Sequence, residues 1–422
     1  MYLANRFIPL SGRDQLKNKY FSVLVLLSSI FAADLEWQAD FRYRLETDKD
    51  IENADSIYTR ARNTFHYTRS RISLRLVEGP ITGFAQLQDS RLLGGEDNFA
   101  GLSKASGVKI EFHQIYFQVN NLLKRNWSMR FGRFEMPLGA QRLFSKNNWN
   151  NYGRSFEGVH SFTKNSFGSI NLFHLINEEN SGTADSDYYD ERINGIYLSP
   201  LMNRIPFIDM NVFDLYWYNY SKDETFITDD SVKIEKIERS TMGSRWAFNF
   251  IFAKFEGEFA IQSGKLNQSS SIPKIDANFN VFNFHLDLSR LPVISKISFG
   301  KEYFSGDDTS TVDLEGFANP WGAGHKYHGY TDQFTRFNDN DRSGLDEWNV
   351  KAEFSLPGNF MLNVHYHDFK DVIKLDPLGT ELDVVISKKM GFGGVLQQGF
   401  AVYWPEEGEK IQYSFFMLNI TL

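Results

Sequence analysis

Arginine recurs in alternating pairs near the start of this chain: Arg42 and Arg44, then Arg60 and Arg62, then Arg69 and Arg71, followed by Arg75. Arg130, Arg245 and Lys254 continue the basic series further along. A guanidinium stays charged at physiological pH and donates paired hydrogen bonds to a carboxylate or phosphate. Rows of them on one face therefore make a surface that attracts anions. Asp40, Glu256, Glu258, Glu347 and Glu353 offset part of that charge. Two arrangements stay open at this level: a positive constriction, or arginines paired with carboxylates that simply fill a wall.

Other residue types that could do chemistry are sparse. His365 and His367 share a face of any strand, but no carboxylate or further ligand stands near them in sequence, and they are read as lining rather than as a metal site. His325, His328, Asp332 and Asp339 form a second cluster, and the run Asp339 to Gly344 has calcium-like spacing without a bidentate Glu at its far position. No nucleophile elbow and no phosphate-cradling glycine loop occurs in a strand-to-helix context. Without cysteine there is no disulfide framework and no thiolate site. No catalytic residue, metal or cofactor is expected. A net charge of -8 with no long basic block also argues against nucleic acid as a partner.

The elements that position these side chains have a period of two. Leu35, Trp37, Ala39, Phe41, Tyr43 and Leu45 fall on one face, and Glu36, Gln38, Asp40, Arg42, Arg44 and Glu46 on the other. The same split separates Phe255, Gly257, Phe259 and Ile261 from Lys254, Glu256, Glu258 and Gln262, and Trp348, Val350, Ala352, Phe354 and Leu356 from their polar neighbours. The runs are long enough to cross a bilayer as tilted strands, which need about 9 to 11 residues, whereas soluble strands average about five or six. About eighteen are predicted, starting near Leu35, Ile57, Ile81, Val108, Trp127, Phe156, Ser166, Glu191, Phe207, Arg239, Ala253, Asp276, Val293, Gly344, Phe360, Thr380, Gly394 and Lys410. Almost no helix is expected.

Connections alternate in length. Short ones are predicted at Glu78 to Pro80, near Asn165, at Ile251 and Phe252, at Ser289 to Pro292, at Pro357 to Asn359 and at Met390 to Gly393. Long ones are predicted at Arg91 to Gly107, Phe134 to Ser155, Glu178 to Asp190, Lys222 to Glu238, Gly264 to Ile275, Ser305 to Ser343 and Phe369 to Gly379. Short periplasmic turns and long outer loops describe a single closed antiparallel transmembrane β-barrel, an all-β fold with no strand edge left in lipid. Its lipid face and interfacial belts account for 39 Phe, 19 Tyr and 8 Trp in 422 residues. The last strand alternates up to Leu422, where barrels of this class commonly end in an aromatic.

Residues 1–33 are expected to be a leader extension and signal peptide, cleaved on secretion through the inner membrane, with the barrel occupying 34–422. Lys17 and Lys19 precede a 14-residue apolar run from Tyr20 to Ala33, too short for a spanning helix, and Asp34 follows.

One segment goes beyond pattern. Gly132, Arg133, Phe134, Gly139, Gln141, Arg142 and Leu143 are followed by Trp149 and then by Gly153, Arg154, Ser155, Phe156, Glu157, Gly158 and Val159. With Gln86 to Arg91 and the run His325 to Asp332, this resembles the alginate-export family of bacterial outer-membrane barrels, departing from its pattern at Phe134, Ala140 and Glu157. The resemblance implies an eighteen-stranded barrel whose arginine-lined pore passes an acidic polysaccharide. By position it carries over Arg91, Arg133, Arg142 and Arg154 as pathway residues; Arg69 and Arg71 join them from the strand pattern, and Lys326 from the long outer loop. Alternatively, Phe134 to Ser155 folds back to plug or brace the barrel, with Arg142 and Arg154 held by Glu135 and Glu157.

The expected function is a passive outer-membrane channel for an anionic polysaccharide or related acidic solute, since no nucleotide site could supply work. The alternatives are a general or anion- or phosphate-selective uptake porin and, more remotely, an outer-membrane lipid hydrolase. Expected partners are the outer-membrane lipid bilayer and lipopolysaccharide, the anionic glycan or acidic solute, and a periplasmic export or delivery partner.

Overall fold

The computed structural model describes residues 34–49, 62–93, 110–122, 126–178, 188–202, 209–228, 231–267, 272–334 and 343–422. The leader, Arg60, and the start of the Asp339 to Gly344 run lie outside them; Arg62 begins a strand, but its side chain is not among those described.

Among the described residues, eighteen strands form one antiparallel sheet. The first six are β1 (Asp34–Lys49), β2 (Arg62–Glu78), β3 (Ile81–Leu92), β4 (Glu111–Leu122), β5 (Trp127–Phe134) and β6 (Phe156–Asn165). Then follow β7 (Gly168–Glu178), β8 (Tyr188–Pro200), β9 (Asp209–Thr228), β10 (Ser231–Phe250), β11 (Ala253–Asn267) and β12 (Lys274–Asp287). The last six are β13 (Ile294–Phe304), β14 (Leu345–Leu356), β15 (Phe360–Lys370), β16 (Pro377–Lys389), β17 (Gly394–Pro405) and β18 (Ile411–Thr421). Each strand pairs with its sequence neighbours, and β1 pairs with β18 from Asp40 opposite Thr421 to Asp48 opposite Tyr413. Leu422 and Ala39 exchange backbone hydrogen bonds at the seam. The sheet is thus closed, and the one helix among the described residues, the short α1 (Gly324–Tyr327), sits in a loop.

The period of two decides which side chains meet lipid. Trp37 is 66% exposed and Trp348 58%, while Arg42, Arg44, Glu347 and Asn349, on the opposite parity, are buried inside the ring. Facing inward, they are covered by the connection at 135–155 and by the described part of the next long one, 305–334, which fold into the lumen.

One predicted connection differs from the structure, and one strand carries an irregularity that the alternation did not show. Lys222 to Glu238, read as a long loop, is mostly strand: β9 and β10 run 20 residues each and pair from Ser231 opposite Thr228 onward. The charged alternation of that hairpin continues a ladder beyond the apolar part, so loss of hydrophobicity does not mean loss of strand. In β4, the pairing steps from Gln114 to Phe112 opposite Gln86 and Leu87, so His113 is an extra residue and points inward, fully buried.

Candidate functional site: an inward loop clamp and a charged cavity

The loop after β5 is seated first by apolar packing. Met136, Leu143 and Phe144 are buried against the inner wall, with Phe144 5.4 Å from the Trp321 ring, 5.0 Å from Tyr218 and 5.4 Å from Phe173. Desolvated aromatics of this kind bring a loop onto a wall, and the direction of its polar groups is then set by hydrogen bonds.

Those bonds come from the early-strand arginines. Arg42 donates to the carbonyls of Asn148 at 2.6 Å and Asn150 at 3.1 Å, and Arg69 to the same two at 3.2 and 3.4 Å. Arg44 donates to the Trp149 carbonyl at 2.5 Å. Ser90 takes the Asn151 carbonyl at 2.8 Å, and Arg71 with Gln88 take that of Tyr152 at 3.2 and 2.9 Å. Every carbonyl from Asn148 to Tyr152 is therefore held by a side chain of β1, β2 or β3. Arg71 also reaches Glu135 at 3.3 Å, where His113 arrives at 3.0 Å. Burial pushes the Glu135 carboxyl up, but the His113 bond and the Arg71 charge outweigh it and hold the group below the ordinary carboxylate range. Gly153, at φ +75°, lies so close that a β-carbon there would meet Arg71 Nη2 at 2.5 Å.

The second inward loop closes against the first. Trp149 stacks on His325, Arg154 donates to the carbonyls of Trp321, Gly322 and Pro320, and Tyr327 donates to the Ala140 carbonyl. Arg142 is buried with Glu302 as its hydrogen-bonded partner, Glu258 at 3.9 Å, and the Tyr327 ring centroid 3.7 Å from Cζ. Burial disfavours its charge, but Glu302, Tyr327 and Glu258 overcome this and raise its pKa above the ordinary arginine value.

The candidates separate accordingly. Arg69, Arg71, Arg142 and Arg154 are inside the barrel, and Lys326 reaches the Ala140 carbonyl at 3.2 Å on the second loop. Arg91 and Arg133 are on the outward face: Arg91 pairs with Asp89 and stands opposite Thr68, and Arg133 pairs with Glu157 and stands opposite Ile115, itself 45% exposed. The correction follows from parity. Inward positions on β3 are Gln86, Gln88 and Ser90, so Arg91 must point out, and Phe134 is inward, so Arg133 cannot be. The brace alternative, too, is altered in its partners, since Glu157 takes Arg133 and Glu135 takes Arg71, while Arg142 finds Glu302.

Between the two loops lies a cavity of about 870 Å³. Arg44, Arg154, Lys222 and Arg239 line it, together with Glu46, Glu191 and Asp332, and Tyr67, Trp149, Tyr220, Trp321 and His325 supply ring faces. It lies on the side of the barrel into which the two loops fold, beside Glu46 of β1, Asn177 of β7 and Glu191 of β8, with Lys222 and Arg239 from the middle of β9 and β10. Lys222 and Arg239 were missed as lining residues because they were assigned to a loop and to a strand start. Extending the alternation backward from Arg245 through Gly243 and Thr241 would have reached Arg239.

Further round the ring the inner face is acidic. Glu258, Glu302, Glu347, Glu381 and Asp383 are buried on β11, β13, β14 and β16. The barrel interior is thus basic at β1 and β2 and acidic at β11 to β16.

A closed eighteen-stranded sheet with an apolar outside, a polar inside and loops folded into its bore is an outer-membrane channel of the porin type. The sequence matches the model of the family described as alginate export over residues 33–397, and the chain belongs to that family. Among curated proteins, none is significantly similar in sequence. Similar solved structures include OccK8 (OprE) of Pseudomonas aeruginosa, with TM-score 0.59 and 13% identity over 92% of this chain and 98% of that one. OccAB4 of Acinetobacter baumannii has TM-score 0.59 and 11% identity, and OpdK of Pseudomonas aeruginosa, solved with vanillate, 0.58 and 10%, with the same coverage of both chains. These likenesses are in fold.

Proposed function

We propose that this channel passes a carboxylate-bearing saccharide, a segment of an acidic glycan or a related acidic solute, by passive diffusion through the cavity between the two inward loops. The carrying observation is that carbonyls, not carboxylates, hold most of the arginine clamp. A carbonyl satisfies the hydrogen bonds of a guanidinium without cancelling its charge, so Arg42 and Arg69 keep a positive field beside the bore, whereas Arg44 is also paired with Glu46. In the cavity, four basic side chains face three carboxylates. The aromatic faces of Trp149, Tyr220 and Trp321 offer flat apolar surfaces beside those cations, which suits a ring with one apolar face and one carboxylate. Arginine bonds would replace the carboxylate's hydration at low barrier, and a gradient would supply the direction.

A second reading, uptake of a small organic acid, is favoured by the cavity volume, which is that of a small-molecule site. OpdK, the porin of like fold, was solved with such an acid, vanillate. Both readings share anion preference and differ in solute length. The family and the solved relatives are channels, and no enzymatic step is proposed.

Reversal potentials in planar bilayers under a salt gradient test the shared part. Anion preference is expected, reduced when Lys222 and Arg239, which sit on the wall and not in the clamp, are replaced by Gln. Cation preference that these replacements leave unchanged would overturn it. Liposome swelling with oligouronates against monomeric uronates and neutral sugars then separates the two readings.

A further inference from the structure

The acidic side of the barrel interior brings together residues that are far apart in sequence. On β15, His365 and His367 face inward; on β16, Asp383 stands directly opposite His365, and Glu381 opposite His367. The ligand atoms of His365, His367 and Asp383 all lie within 4.8 Å of one another. The carboxylate missing beside the two histidines in sequence comes from the next strand.

The hydrogen bonding around this group has a specific form. His367 Nδ1 is 2.7 Å from Glu347 Oε1, so the ring gives its Nδ1 proton to that carboxylate and turns Nε2 toward Asp383 Oδ2 at 3.4 Å. His367 and Asp383 are each 1% exposed. Among the described residues, no hydrogen bond of ordinary geometry reaches His367 Nε2 or either Asp383 oxygen. A histidine oriented by a carboxylate on one nitrogen, with its other nitrogen and a buried carboxylate aimed at a shared point, is the arrangement that holds zinc.

Charge points the same way. Glu302, Glu347, Glu381 and Asp383 are four carboxylates no more than 1% exposed. Set among them are Arg142, bonded to Glu302, Lys351, which stands opposite His365 on β14 and reaches the Tyr327 carbonyl at 3.4 Å, and the His328 imidazole, 2.6 Å from Glu347 and 3.9 Å from Glu302, which leaves Glu381 and Asp383 without a fixed cation bonded to them among the described residues. Lys296, also on this wall, is occupied by Glu353. Buried negative charge in excess of its cations is costly unless it is neutralised.

We propose that His365, His367 and Asp383 form a zinc site on the inner wall of the barrel, with Glu347 orienting His367. The imidazole-rich donor set selects zinc over magnesium or calcium, which prefer all-oxygen sites. The ion would compensate the carboxylates behind the second inward loop, whose Thr331 donates to Glu381 from its backbone N–H at 2.8 Å and its hydroxyl at 2.5 Å.

The test uses the full chain without an affinity tag, purified in detergent, stripped with chelator and supplied with zinc chloride. One zinc per chain is expected after dialysis, with no displacement by magnesium. His367→Gln and Asp383→Asn should each lower affinity at least tenfold, and Glu347→Gln about 10- to 100-fold, the range seen when a ligand's orienting partner is removed. His174→Gln, on the exposed side of β7, should change nothing. Cobalt(II) on the unaltered chain should give the strong visible bands of four-coordinate geometry, a readout that stands even if the variants do not fold. Retention of no more zinc than in His367→Gln, or a cobalt spectrum of the six-coordinate aqueous kind, would overturn the site.

Discussion

Trp149 and His325 stack with ring centroids 3.9 Å apart and planes 11° from parallel, joining the two loops that fold into the barrel. The Arg44 guanidinium lies 4.5 Å from the Trp149 ring centroid while donating to the same residue's carbonyl. Phe415 of β18 and Tyr330 meet its edge at 4.9 and 5.7 Å. One side chain thus ties the first inward loop to the wall and to the second loop.

That junction can be measured by a double-mutant cycle. Trp149→Ala and His325→Ala are expected to be non-additive, with a coupling of about 0.5–1.5 kcal/mol as for other ring pairs. Midpoints of denaturant unfolding in detergent give the four stabilities; additive losses would mean that the loops are seated independently.

The arginine clamp makes a prediction about conductance. Replacing Arg42 and Arg69 together by Gln leaves the Asn148 and Asn150 carbonyls without these donors, each a charge-assisted bond worth about 1.5–3 kcal/mol. Single-channel recordings should show larger or noisier openings as the loop leaves its seat. Arg91→Gln and Arg133→Gln, being on the outward face, should leave conductance and ion selectivity as they are.

Arg142 lies between Glu302 and Glu258, inside a closed site. Arg142→Met leaves both carboxylates without that cation and should cost about 3–5 kcal/mol, the range for breaking a buried pair from one side. Adding Glu302→Gln should recover part of the loss. If Arg142→Met unfolds at the same denaturant concentration as the parent chain, the pair is not a structural one.

Glu135 gives a pH dependence with a defined sign. Its pKa is lowered in the folded chain, so the stabilisation is fully present above the ordinary carboxylate value near pH 4.3 and is lost as pH falls through the lowered value. Channel conductance recorded downward from neutral pH should stay constant through the ordinary carboxylate range and change only at more acid pH, as Arg71 and His113 lose their anionic partner. Glu135→Gln should remove that transition and behave at neutral pH as the parent does in acid.

Gly153 tests the seat by sterics. At φ +75° an L side chain is strained, and a β-carbon would press on Arg71 and on His113 Cε1 at 3.1 Å. Gly153→Ala should lower the unfolding midpoint and mimic the conductance change of the clamp variant. An unchanged channel would show that the loop yields at no cost.

Much of this architecture was legible in the chain because it depends on local geometry alone. Side chains at alternate positions of a strand point to opposite faces, so Trp37 and Trp348 read as outward and Arg42, Arg44, Glu347 and His367 as inward. The number of alternating runs and the alternation of short and long connections then implied one closed barrel. Parity applied residue by residue would also have turned Arg91 and Arg133 outward; a motif carried over by position does not respect it.

What the tertiary structure decided are the meetings across the bore, which no spacing in the chain encodes. That the loop after Phe134 folds inward depends on Phe144 finding Trp321 and Tyr218 on other elements, and on carbonyls finding arginines from strands more than seventy residues earlier. Arg142 could have chosen Glu135 or Glu157 by proximity in sequence, but burial beside Glu302 and Glu258 makes a partner of a residue 160 positions away. His365 and His367 were visible as a pair, yet the carboxylate that completes them, Asp383, is brought opposite by the register of β15 on β16. Local dihedral preferences choose the face of a strand; only the closure of the sheet and the packing of loops inside it choose the neighbours.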